Sequence, residues 1–145
     1  MTAAVFDSEW IIARLKSQVP ELKVVGGAAE LASAEIDLKQ TPSAYVFEIG
    51  DEASKNTTGT MLVSQLNTVT FAVAIATKNL RDPRGQHAKA DLRAIRSAIR
   101  TALLGWEPDA EFNPIEKRRG SLIKMRKTVL WWRDEFATSH LIRSV

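Results

Sequence analysis

Residues Thr128 to Thr138 read T-V-L-W-W-R-D-E-F-A-T, a run of branched, aromatic and polar side chains that predicts a β-strand. Neighbours in a strand point to opposite faces, so Trp131 and Trp132 cannot both enter one core. One of them must meet a second surface: a helix layer, a further strand or another subunit. Asp134 and Glu135 likewise point apart. They are poorly placed to share a proton or a metal, and surface pairing with Arg133 or with another strand is their expected role.

Outward from this run, strands are predicted over 115–124 and 126–138, with a tail strand near His140 to Arg143; Gly120-Ser121 could instead be a hairpin turn. Ahead of them lies the best-defined helix. Asp82 is its N-cap, Pro83 takes the first helical position, and it runs to about Leu104 before Gly105. Ala88, Leu92, Ile95, Ile99, Ala102 and Leu103 form its buried stripe, while Lys89, Arg93, Arg96 and Arg100 share an adjoining basic flank.

Further upstream, Tyr45, Phe47 and Ile49 alternate with Val46 and Glu48, and a longer run carries Leu62 through Val69, Phe71, Val73 and Ile75. These two runs predict an antiparallel hairpin. Its second strand has small residues, Thr70, Ala72, Ala74 and Ala76, on one face, which suits either a closely packed helix or a neighbouring subunit. The intervening polar stretch Gly50 to Gly59, with Asp51, Glu52 and Lys55, predicts a mobile loop that orders on a partner. At the N-terminus, Asp7 caps a helix carrying Trp10, Ile11, Leu15 and Val19, and Pro20 ends it. A short strand over Leu22 to Val25 stops at Gly26-Gly27, a brief helix follows over Ala28 to Ser33, and Thr41-Pro42 breaks the chain again. The expected fold is α+β: a mostly antiparallel sheet with helices packed on one face, in a single domain spanning 1–145.

No catalytic or cofactor chemistry is advertised. The chain has no cysteine, hence no disulfide, zinc-thiolate site or thiol nucleophile, and its two histidines, His87 and His140, sit in no metal motif. The serines lack a nucleophile elbow, and Gly26-Gly27 lies in no phosphate loop. With neither a signal peptide nor an apolar run long enough to span a bilayer, a soluble intracellular protein without a membrane role is expected. The net charge of +3 conceals an asymmetry: residues 1–80 sum to −3 and residues 81–145 to +6. Lys117-Arg118-Arg119, with Lys124, Arg126 and Lys127, could meet phosphates. There is no helix-turn-helix, zinc finger or aromatic-basic RNA motif, so direct DNA binding is not the expected main role, and an anionic protein is the simpler partner.

In order and spacing, several pieces resemble the tail terminator (tail completion) proteins of long-tailed phages and prophages. They are S-A-Y-V-F-E-I-G at 43–50, Gln65 ahead of V-T-F-A-V-A-I-A, D-P-R-G at 82–85, A-L-L-G-W-E-P at 102–108, G-S-L at 120–122 and W-W-R-D-E-F-A-T ending at Thr138. The resemblance covers most of the chain from Ser43 onward. It implies a non-enzymatic protomer of a hexameric ring that closes the tail tube, halts tube polymerisation and offers a surface to the head-tail connector. It also implies a place in the virion tail and in the host cytoplasm during assembly. The expected interface residues, from physical inference alone, are Lys89, Arg93, Arg96, Arg100, Lys117, Arg118, Arg119, Trp131, Trp132, Asp51, Glu52 and Lys55.

Overall fold

Asp7 opens the first helix as expected: its side chain accepts a hydrogen bond from the Glu9 backbone N–H at 2.9 Å, and α1 runs Ser8–Gln18. The computed structural model describes residues 4–78, 86–126 and 128–144. The remaining elements are β1 (Val24–Gly26), α2 (Ala28–Ile36), β2 (Ser43–Ala53), β3 (Ser64–Lys78), α3 (Gln86–Leu103), β4 (Glu116–Arg126) and β5 (Val129–Arg143). They form one five-stranded sheet in the order β1-β2-β3-β5-β4. All neighbours are antiparallel except β1 and β2, whose parallel pairing is bridged by α2. The architecture is α+β.

The large odd positions of β3, Val69, Phe71, Val73 and Ile75, join Ala44 and Val46 of β2, Leu130 and Phe136 of β5 and the apolar stripes of α1 and α3 in the main core. Phe71 sits at its centre, stacked 5.7 Å from Phe136 and 5.3 Å from Phe6. Leu92, Ile95, Ile99, Ala102 and Leu103 of α3 are all buried, as their helical spacing predicts. Gly105, at φ +78°, takes the left-handed conformation that ends α3, and its N–H donates to Ile115 C=O at 2.9 Å. The predicted cap at Asp82-Pro83 lies outside the described residues, as do the side chains of His87 and Ala88.

The small-residue face of β3 holds a second cluster, in which Ala74 and Ala76 pack with Tyr45, Trp131 and Ala34 of α2. A helix therefore takes the closely packed place that the alanines left open. Thus α1 and α3 layer one face, and the short α2 closes one end of the other.

Three boundaries differ from the sequence reading. The stretch Gly50 to Gly59 is not all loop, because Gly50, Asp51, Glu52 and Ala53 pair with Thr70, Val69, Thr68 and Asn67. Backbone ladders need no apolar side chain, so polar composition hid this strand extension. A register shift at Ile49 inserts one residue and reverses which parity faces which side. Beyond Ala53, Asn56 and Thr58 bond to the chain across the loop, with Thr58 Oγ1 donating to Leu62 C=O at 2.6 Å and Asn56 Oδ1 accepting from Ser64 N–H at 3.0 Å. Gly120-Ser121 is not a turn: β4 runs through it, and the predicted tail strand is the continuation of β5.

Candidate functional site

Trp131 and Trp132 do face opposite ways, and each meets a surface within the chain. Trp131 is 5 % exposed and stacks on Tyr45 with ring centroids 6.1 Å apart. Trp132 packs against the main core beneath Arg96, whose guanidinium lies 4.2 Å from the indole centroid. Trp131, expected at an interface, has its ring covered in the single chain. Its second surface is supplied within the chain, by α2 and the β2–β3 pair.

The basic flank of α3 also divides. Lys89, Arg93 and Arg100 are exposed, whereas Arg96 turns inward and donates to Asp134 from Nε at 2.9 Å and from Nη2 at 3.0 Å. Trp132 Nε1 donates to the same carboxylate at 2.9 Å, and Lys117 Nζ stands 3.6 Å away. Asp134 is 2 % exposed, so its expected surface pairing becomes a buried one. Burial pushes its carboxyl pKa up. The hydrogen bonds from Arg96 and Trp132 and the charges of Arg96 and Lys117 outweigh that and hold it below the usual carboxylate range. Gly120 completes the arrangement, because a Cβ there would overlap the Asp134 carboxylate and come within 3.0 Å of Trp132 Nε1. Arg96, expected at an interface with the rest of the flank, is thus engaged by Asp134 within the chain.

One signal could have found this network. The residues Leu130, Trp132, Asp134 and Phe136 share one strand face, so a lone acid among apolar side chains points at a helix whose nearest flank is basic.

A second buried polar group lies near the free end of the β2–β3 pair. Asn67 donates from its amide to Asp51 Oδ2 at 3.1 Å and meets His140 Nε2 at 3.1 Å, while Phe112 stacks on the imidazole at 4.1 Å. With the amide nitrogen turned to it, Nε2 is the acceptor, and Nδ1 is buried with no hydrogen-bond partner among the described residues. Desolvation lowers the pKa of His140, against the raising effect of Asp51 and Glu111. The sign follows: with its folded pKa depressed, His140 adds stability above its unfolded value, about 6.5, and that stability is lost as pH falls below it. Protonation would set a donor against the Asn67 amide. We expect His140→Asn to flatten the stability–pH curve below that value, as read by urea unfolding at stepped pH; an unchanged slope would refute this.

The remaining charged candidates meet on the open part of the sheet, on the face that carries Ala74 and beyond the reach of α2. There Glu52 of β2 and Arg118, Arg119 and Glu135 line a groove of about 800 Å³, which Asp51 borders while its carboxylate turns to Asn67 on the opposite face. Glu135 holds Arg119 at 3.4 Å and Arg133 at 3.1 Å. Lys55 is exposed just past the end of β2. Among the described residues no three His, Cys, Asp or Glu side chains gather to hold a metal, and no helix is long and apolar enough to cross a membrane. What the site offers is a charged, open sheet surface with acid on one strand and base on another.

The family of phage tail terminator proteins matches the chain over residues 1–144. The chain belongs to that family. A tail terminator is a structural protein of the phage tail, and membership places this one in the virion tail, in interaction with other tail components. No curated protein matches the chain.

Proposed function

We propose that the protein closes the finished tail tube as a ring of six copies, stops further addition of tube protein and presents the surface to which the head-tail connector joins. The observation that carries this reading is the family match, which runs over residues 1–144. Assembly would take place in the host cytoplasm. Tube protein polymerising in the presence of this chain should give short tubes bearing ring density at one end in electron micrographs. Tubes that lengthen at an unchanged rate would overturn the proposal.

The exposed flank of α3 suits an acidic surface on the tube or the connector. Reversing Arg93 and Arg100 to Glu should change folding stability by less than about 0.5 kcal/mol each, as surface charges usually do, yet weaken tube capping measurably. Capping that survives the double reversal would remove the flank from the interface.

A nucleic-acid reading draws on the basic strand β4. Two of its cations are already engaged, Lys117 by Asp134 and Arg119 by Glu135, which reduces what remains for phosphates. Tight binding to duplex DNA with a steep salt dependence would favour that reading over capping.

A further inference from the structure

The sheet has two unlike free edges. Among the described residues β4 is bonded to β5 on one side only, and apart from the half-buried Lys117 all of its residues are exposed. Its sequence, E-K-R-R-G-S-L-I-K-M-R, holds five basic residues and one acidic. Across the sheet, β1 covers β2 only at Ser43, Ala44 and Tyr45. The outer edge of β2 is therefore open from Glu48 to Ala53, where every residue is exposed and three are acidic with no base among them. An open row of backbone N–H and C=O groups is a template for another strand.

We propose that β4 of one copy adds to the outer edge of β2 of the next, Lys117–Leu122 beside Glu48–Ala53, so that the sheet continues from subunit to subunit; this rests on the ring reading above. Strand direction permits it. β2, β3, β5 and β4 alternate, so β2 and β4 run oppositely, and a copy repeated in the same sense brings β2 to β4 antiparallel, the more stable pairing.

Charge selects this joint over its rivals. A two-fold contact would set β4 against β4, base on base, or β2 against β2, acid on acid, and like charges directly opposed destabilise. The unlike joint is heterologous, and heterologous joints close into rings when the rotation per copy divides a full turn. Desolvation, followed by the like charge of Asp51, raises the Glu48 carboxyl pKa, and a neighbouring cation would offset the smaller, coulombic part.

Register adds a geometric requirement. Arg118 and Arg119 lie beside Glu135, level with Ala72 and Phe47, whereas Glu52 lies level with Thr68, four residues further along β3. Joining them needs a stagger of about 13 Å, and closed sheets are built with a stagger between their strands. The bulges at Ile49 and at Arg118-Arg119 fall inside this stretch and interrupt its ladder, and the one at Ile123 ends it, so few backbone bonds join the copies. A short joint suits a ring that needs high concentration or the tube end as a template.

The absence of cysteine allows a direct test. Glu52 and Arg118 are exposed and line the same groove. Variants Glu52→Cys and Arg118→Cys, differently tagged, are mixed at high concentration and on tube ends, then oxidised. A heterologous joint should give roughly tenfold more disulfide-linked dimer from the mixture than from either variant alone. Dimers from one variant alone, or none from the mixture, would overturn the proposal. As a second measure, Glu52→Lys and Arg118→Glu should each weaken ring formation, and the double variant should restore it; a double variant no better than the singles also counts against the joint. If the mixture fails while the unmodified protein still caps tubes, the edge joint is wrong and the proposed function stands. If tubes grow uncapped, the function fails, and thiol pairing in free solution still decides the joint.

Discussion

Asp134→Ala is expected to destabilise the fold by roughly 3 kcal/mol, the lower part of the range for breaking a buried ion pair by removing one partner. The lower part applies because Arg96 keeps about a quarter of its side chain in water (23 % exposed), so its charge is not wholly stranded. Trp132 Nε1–H loses its acceptor in the same step. For a chain of this size the loss should appear as a fall in melting temperature of about 10 °C. The linkage has a definite sign. Because the folded pKa of Asp134 is lowered, its contribution is complete above the ordinary carboxylate value of about 4 and is lost as pH falls through the folded value. The variant should lack that acid slope. Gly120→Ala, which pushes a methyl into the same carboxylate, should cost about 1–3 kcal/mol as overpacking does, and less in the Asp134→Ala background than alone. A loss under about 1 kcal/mol for Asp134→Ala would show that the pair only offsets its own desolvation.

Trp131→Ala is expected to cost about 3–5 kcal/mol, the usual range for truncating a buried tryptophan. Its ring fills the space between Tyr45 and the alanines of β3, which are too small to close over the gap. The assay separates two readings of this residue. If Trp131 belonged to a subunit interface, its removal would leave monomer unfolding unchanged and lower only assembly. Buried as it is, its removal should lower the monomer's stability in dilute solution, where no ring forms. A melting curve of the dilute variant that superimposes on the parent would reject the burial argument.

Much of this was legible in the chain. The period of two around Phe71 and the period of 3.6 along α3 determined the sheet, the helix and the main core, because each stripe is local and repeats within one element. The cap at Asp7 and the stop at Gly105 were equally local. The strand extension over Gly50 to Ala53 was not legible, since backbone pairing with β3 leaves no mark on side-chain composition. Nor was the division of the α3 flank. Lys89, Arg93, Arg96 and Arg100 look alike by spacing, and only the position of Asp134 across the helix–sheet gap pulls Arg96 out of the set.

The sequence by itself determined that Trp131 and Trp132 must part, because alternation in a strand is a property of the backbone. Only the tertiary structure decided what each would meet. Trp131 finds Tyr45 and the alanine face beneath α2, and Trp132 lies under Arg96, because residues distant in the chain become neighbours through sheet order, and sheet order is not encoded in any local period. The same reason separates two charged strands: the sequence sets their signs, and the strand order β1-β2-β3-β5-β4 places the acidic end of β2 and the basic β4 on opposite sides.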